Sequence, residues 1–209
     1  MKVDGAGEMW TMRGFCDSNY AGDSETRRSV SGYIVYLNGC PVTWRSKGQK
    51  SVSLSSTEAE YRAISEIATE VLFLKSELEF LGFEVKLPII INVDNLGAIY
   101  LAKSASTSTR TKHIDIHHHF VREYIEGGVI KVQFVRSEQN DADIFTKNLG
   151  AECYKRHRQM IIGEGKDGCE WFRNRKGVGK YSSSFTCAAK RKNVTATWIQ
   201  EIGKLTMHE

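Results

Sequence analysis

Four acidic residues stand where an α/β chain places its ligand sites. Asp17 closes a short strand-like run and Asp94 closes the continuous β-branched run PIIINV (Pro88 to Val93). Glu58 opens a long helical pattern, and Asp143 opens what the pattern presents as a final helix. The carboxyl ends of strands and the starts of helices are where such sheets bind ligands. Three or four carboxylates brought together at neutral pH repel, and the usual resolution is a hard divalent cation with oxygen ligands. With no Cys/His set at comparable positions, Mg²⁺ or Mn²⁺ is favoured over Zn²⁺. Two such ions about 4 Å apart activate a water and stabilise the leaving oxygen of a phosphodiester, which is nuclease chemistry. An ordinary reading stands beside this one. Asp or Glu at a helix start complements the helix dipole, and Asp at a strand end makes a turn. Periodicity does not choose between the two.

The elements that must position these acids alternate along the chain. A strand over Thr11 to Cys16 runs into Asp17. Ser31 to Asn38 and Pro41 to Ser46 place apolar residues in period two around the turn signal Asn38-Gly39, which predicts a hairpin and three antiparallel strands at the start of the domain. Tyr61, Ile64, Ala68, Val71, Leu74, Leu78 and Leu81 recur at spacings of three and four, after the capping residues Ser55, Ser56 and Thr57 and before Gly82. That stripe predicts a helix. Pro88 to Val93 predicts a strand buried on both faces. A helix over Asn95 to Lys103, a Ser/Thr loop, a His-rich helix over Ile114 to Glu126, a strand over Val129 to Val135 and a last helix within Asp141 to Met160 complete the pattern.

Composition sets the frame. The 209 residues are 41% hydrophobic and 26% charged with a net charge of +4, which fits one globular domain and a short appendage. No apolar run reaches the roughly 18 residues of a membrane span, and no membrane partner is expected. Five cysteines, an odd number without a CxxC pair, point to a reducing compartment, so the expected location is intracellular and cytoplasmic. The chain divides into an N-terminal extension (1–9), a domain (10–163) and a basic tail (164–209) read as poorly ordered or unrelated to the domain. The tail carries nine basic residues against five acidic, a surplus equal to the net charge of the whole chain. The domain is therefore close to neutral, and any grip on nucleic acid must come from local patches.

The segments carrying the acids resemble a known family. FCDSNYAGD (Phe15 to Asp23), TRRSVSGYIVYLNGCPVTWRSKGQKSVSLSSTEAEYRA (Thr26 to Ala63), VDNLGAI (Val93 to Ile99), TRTKHIDIHHHFVREYI (Thr109 to Ile125) and NDADIFTKNL (Asn140 to Leu149) keep order and spacing. Together they are similar to the ribonuclease H domain at the C-terminal end of Copia-type (Pseudoviridae) long-terminal-repeat retrotransposon Pol polyproteins. The resemblance spans about two thirds of the chain. It implies a ribonuclease H-like α/β fold, a five-stranded mixed sheet flanked by helices. It also implies an endonuclease that hydrolyses the RNA strand of RNA–DNA hybrids during reverse transcription, using two Mg²⁺ ions with Mn²⁺ as a substitute. The catalytic and metal-binding acids carried over are Asp17, Glu58, Asp94 and Asp143, the last in preference to Asp141. Asp17 would stand between the ions, Glu58 and Asp94 on the water side, and Asp143 on the other. In-line hydrolysis would leave a 3′-hydroxyl and a 5′-phosphate. Backbone groups near Ser18 and the side chains of Thr57 and Asn95 would read the 2′-hydroxyl in the shallow minor groove. The partners implied are the hybrid and the reverse transcriptase domain of the same polyprotein, within a cytoplasmic retrotransposon particle.

Other motifs are weighed against simpler roles. Trp44 to Lys50 mixes aromatic and basic residues at a hairpin end, where Lys47 and Gln49 would track phosphates, or would simply form a solvated end with a packed Trp. Arg28 is a similar substrate candidate beside Arg27. His113 and His117 are four apart, yet a zinc site needs a third ligand. Lys112 and His113 are better read as part of the family's KHID motif, in a structural or substrate-facing role. Asn148 stands where the family often has Pro. The rival reading is a catalytically silent or domesticated remnant that keeps the fold and binds nucleic acid without turnover.

Overall fold

Alternation of apolar residues along Met12–Asn19 (β1), Val30–Leu37 (β2) and Cys40–Gly48 (β3) builds the predicted antiparallel trio. The turn between β2 and β3 holds Asn38 at φ 49° and Gly39 at φ 80°, the paired left-handed conformations of a two-residue hairpin turn. The computed structural model describes residues 9–104 and 115–161, without the side chains of 115–119. These residues lie in one unit extending from Met1 to Cys169. The tail, Lys112 and His113 fall outside the described residues, as does the Ser/Thr loop after Ser104.

Ile89–Val93 (β4) and Ile130–Phe134 (β5) add to β1 in parallel, giving one five-stranded mixed sheet in the order β3-β2-β1-β4-β5. This is a five-stranded mixed sheet with helices, the architecture that the resemblance implies. The helix stripe becomes Ser56–Phe80 (α1), capped by Ser55, whose Oγ accepts the Glu58 N–H at 3.1 Å. Leu96–Lys103 (α2) starts after Asn95, whose Oδ1 accepts the Ala98 N–H at 3.0 Å. Asp115–Glu126 (α3) and Ala151–Ile161 (α4) complete the helices.

The sheet has two apolar faces. Met12, Cys16, Tyr33, Val35 and Leu37 meet α1, with Ala98 of α2 and Val121 of α3 in the same cluster. Burial of such side chains, at about 25 cal/mol per Å² of apolar surface, is the main force holding the layer together. Phe15, Ile34 and Tyr36 face the other way and pack with Ala142. Ile67 of α1 packs over Gly14, where a Cβ would lie 2.4 Å from Ile67 Cδ1. No helix among the described residues is long and apolar enough to cross a membrane.

The final stretch differs from expectation. Asp143 does not open the last helix. It opens a single 3-10 turn, Asp143–Phe145, and α4 begins only at Ala151. Gly32 presents no side chain, so the turn settles onto the sheet where a Cβ would meet Thr146 Cγ2 at 2.6 Å and Phe145 Cβ at 2.9 Å.

Candidate active site

The β1–β4 ladder pairs Arg13 with Ile90 and Phe15 with Asn92 and then stops. The same offset, carried two residues on, sets Asp17 opposite Asp94 at the carboxyl ends of neighbouring parallel strands. Asn92 ties β1, β4 and the edge strand β5 together just below: its Nδ2 donates to Gly14 O and its Oδ1 accepts from Gln133 Nε2, both at 2.9 Å. Asn140 Nδ2 donates to Cys16 O at 3.0 Å, satisfying a backbone carbonyl beyond the end of the ladder.

Glu60 of α1 reaches this place, with Oε1 accepting the Ser18 N–H at 3.1 Å. Carboxylate oxygens of Asp17, Glu60 and Asp94 lie within 4.8 Å of one another. Asp17 is fully buried and Glu60 is 6% exposed. The second Glu60 oxygen, Oε2, is buried without a hydrogen-bond partner. A buried carboxylate oxygen is costly to leave unpaired. Burial, together with the negative charges of Asp17 and Asp94, pushes the Glu60 carboxyl up to about 8, against the opposing hydrogen bond from Ser18. The all-oxygen donor set of the cluster fits a hard divalent cation.

Glu58, expected here, is elsewhere. Its Oε2 accepts the Leu54 N–H at 2.8 Å and its Oε1 pairs with Arg62 at 2.8 Å, so it closes the entry to α1. Helical phase explains the correction. At 100° per residue, Glu60 stands about 40° from Ile64 on the buried stripe, whereas Glu58 stands about 120° away. The stripe that predicted the helix contained the signal for Glu60.

Asp143 joins from the 3-10 turn. Lys147, four residues later, places Nζ 2.9 Å from Asp17 Oδ1 and 3.2 Å from Asp143 Oδ1. Thr146 Oγ1 donates to Asp17 Oδ2. Burial and the charge of Asp17 raise the Asp143 carboxyl to about 6 even though Lys147 opposes the shift. Burial pulls the Lys147 ammonium down, but its hydrogen bond to Asp17 and the charges of Asp17, Asp143 and Asp94 outweigh it and hold the group above its ordinary value. Asp94 has its own support: Ser137 Oγ donates to its Oδ2 at 2.6 Å. Asp141, two residues from Asp143, is not in this group. It accepts from Tyr36 OH at 2.8 Å and pairs with His157 Nδ1 at 3.0 Å, all three buried.

The substrate candidates separate into two sets. Ser18 and Asn95 adjoin the carboxylates, and Thr57 stands at the start of α1. Ser18 holds Glu60, Asn95 follows Asp94, and Thr57 Oγ1 would lie 3.0 Å from a Cβ on Gly97, so Gly97 lets the starts of α1 and α2 adjoin. Lys47 is exposed on the edge strand β3, in line across the sheet with Ser31 and then Ser18. Arg28 is exposed in the turn before β2. Gln49 is a correction. Only 4% exposed, it donates from Nε2 to Ser31 Oγ and Ala59 O at 2.9 and 3.0 Å and accepts from Ser53 Oγ at 2.7 Å. With its amide filled, it fastens the start of α1 to β2 and has no donor left for phosphate.

Comparison with known proteins gives the context. No protein-family model matches the chain. The retrovirus-related Pol polyprotein from transposon RE2 of Arabidopsis thaliana is 36% identical over 155 residues, covering 74% of this chain and 11% of the relative. The corresponding polyprotein from transposon TNT 1-94 of Nicotiana tabacum is 39% identical over 150 residues, 72% of this chain and 11% of the relative. Among solved structures, LC11-RNase H1, isolated from compost and determined with an RNA/DNA hybrid, superposes with a TM-score of 0.49 at 12% identity, covering 65% of this chain and 94% of that one. RNase H1 from Halobacterium salinarum superposes with a TM-score of 0.41 at 14% identity, with the same 65% and 94% coverage. By sequence, therefore, the chain is a homologue of the Copia-type retrovirus-related Pol polyproteins and spans about a tenth of their length.

Proposed function

We propose that this domain is a ribonuclease H that hydrolyses the RNA strand of RNA–DNA hybrids during retrotransposon reverse transcription. The observation that carries the reading is the Asp17, Glu60 and Asp94 cluster with its unpartnered buried oxygen, at the mouth of a five-stranded mixed sheet. Homology to Pol polyproteins supplies the biological setting. The partner domain in that setting is the reverse transcriptase of the same polyprotein, within the retrotransposon particle.

Asp17, Glu60 and Asp94 would hold the divalent ion, with Mg²⁺ as the natural choice and Mn²⁺ as its substitute. When bound, such an ion lowers the pKa of water and polarises a phosphoryl oxygen. The chain's own groups do the rest. Ser18 fixes Glu60 through its backbone N–H, and Ser137 fixes Asp94. Asn140 and Asn92 hold the strand ends at the spacing that keeps the carboxylates together. Lys147 presents positive charge beside Asp17 for the phosphate. The starts of α1 and α2, bearing Thr57 and Asn95, offer positive dipole ends and polar groups to the backbone and 2′-hydroxyls of the RNA strand.

The test is cleavage of a labelled RNA–DNA hybrid by the purified protein with Mg²⁺, with double-stranded DNA spared. Asp94→Asn is expected to abolish the cut. A folded wild-type protein that binds the hybrid and leaves it intact would establish the silent-remnant reading instead.

A further inference from the structure

Asp143 ends a run of four buried residues, Asn140, Asp141, Ala142 and Asp143. Asp141 stands outside the carboxylate cluster, yet two elements hold it at once. Tyr36 OH of β2 donates to its Oδ2 at 2.8 Å, and His157 Nδ1 of α4 meets its Oδ1 at 3.0 Å. We propose that His157 is a positioning residue for hydrolysis: through Asp141 it sets the place of Asp143, so α4 acts on the reacting centre without touching it. For its chemistry the inference rests on the ribonuclease H reading given above.

His157 is the one buried residue of α4, so the helix meets the domain at that ring and, more shallowly, at Ile161. A buried His–Asp pair is a weak source of stability beside an apolar contact, because both groups lose water when they meet. What the pair adds is direction. One Asp141 oxygen is taken by β2 and the other by α4, which holds the carboxyl in a single orientation.

Only Ala142 separates Asp141 from Asp143, and it has little freedom of its own. Its side chain is buried with Phe15, Ile34 and Tyr36, its N–H donates to Asn140 Oδ1 at 3.2 Å, and its carbonyl accepts the Phe145 N–H at 2.9 Å. The Asp143 N–H donates to Asn140 O at 3.1 Å, and Asn140 Nδ2 donates to Cys16 O at 3.0 Å. The turn is therefore held at two points, Asn140 on β1 and Asp141 on β2 and α4. Without His157, a buried Asp141 oxygen loses its partner and the carboxyl must move to find another. That movement passes through Ala142 to Asp143. Arg28, Lys47 and Thr57, the candidate contacts to the hybrid, stand on other elements, so substrate affinity is spared.

Steady-state cleavage of a labelled RNA–DNA hybrid by the full chain with Mg²⁺, held well below each variant's melting temperature, tests the inference. His157→Leu fills the space without a donor, and His157→Gln returns an amide N–H to it. His157→Leu is expected to lower kcat by about tenfold or more while KM stays within about twofold, and His157→Gln to recover most of kcat. Deuterium exchange supplies a readout independent of turnover. Residues 140–147 are expected to exchange faster in His157→Leu, with protection along the β1–β4 ladder unchanged. Full kcat in folded His157→Leu, an equal loss in His157→Gln, or exchange that rises no more in 140–147 than in the sheet overturns the inference. No cleavage by a folded wild type is a different result: it defeats the ribonuclease H reading, and exchange alone then decides whether His157 holds the turn.

Discussion

Glu58 and Glu60 stand two residues apart on α1 and face directions about 200° apart. One closes the first turn of its own helix through Leu54 and Arg62, and the other is buried with Asp17 and Asp94. Exchange of the two carboxylates one at a time should therefore separate stability from chemistry. Glu60→Gln is expected to lower hybrid cleavage by about 100-fold or more and to lose Mn²⁺ binding. Glu58→Gln is expected to cleave at near wild-type rate while losing about 1 kcal/mol of stability, the scale of a helix-entry contact. Equal loss of cleavage in both variants would remove Glu60 from its assigned place.

The raised carboxyls give the ion-free protein an unusual pH profile. Glu60 moves from 4.5 to about 8 and Asp143 from 3.8 to about 6. Between the ordinary and the shifted values the folded state holds protons that the unfolded chain has released. Stability must therefore fall as pH rises through that window, by about 1.4 kcal/mol per pH unit for each fully coupled group at most. Melting in chelator is expected to show a lower Tm at pH 8 than at pH 5. Mg²⁺ should raise Tm more at pH 8, where the cluster is ionised. A Tm that climbs from pH 5 to pH 8 in chelator contradicts this.

Gly32 governs the position of Asp143 without touching it. Gly32→Ala would put a methyl group 2.6 Å from Thr146 Cγ2 and 2.9 Å from Phe145 Cβ, lifting the turn that carries Asp143 and Lys147. A shift of about 1 Å at a reacting centre can cost on the order of 100-fold in rate. The variant is expected to lose cleavage by that order while retaining its β-sheet circular dichroism. Retention of full activity would show that the turn has room to move.

Asp141, Tyr36 and His157 pin the other side of the same segment to β2 and α4. His157→Ala would leave a buried carboxylate with Tyr36 as its remaining side-chain partner, at a cost of about 2–3 kcal/mol. Phe at position 36 should cost less on its own, and a double-mutant cycle in urea melts is expected to reveal coupling of about 1 kcal/mol between the two sites. Additive losses would mean that the three residues do not act as one network.

Local signals carried most of the fold. Period-two runs, the Asn38-Gly39 turn, the α1 stripe and the apolar run of β4 each depend on neighbours within a few residues, and each appears in the structure near its expected place. Asp17 and Asp94 are legible for the same reason, since one lies near the carboxyl end of β1, which runs on to Asn19, and the other directly follows β4. The segment after Asp141 was not. Its 3-10 turn packs against Gly32, more than a hundred residues earlier, where a side chain would meet Thr146 and Phe145.

Short-range periodicity and capping are enough to place most strands and helices along the chain, because each depends on residues within a few positions. Only the tertiary structure decided which carboxylates meet. Glu60 enters the cluster and Glu58 leaves it because α1 lies across β1 in one rotational setting, with its apolar stripe against the sheet. Gln49 turns inward because β2, α1 and Ser53 together satisfy its whole amide. Lys147 meets Asp17 because a turn settles on a glycine of a distant strand. Each is a contact between residues far apart in the chain, so its direction is set by packing and not by local spacing.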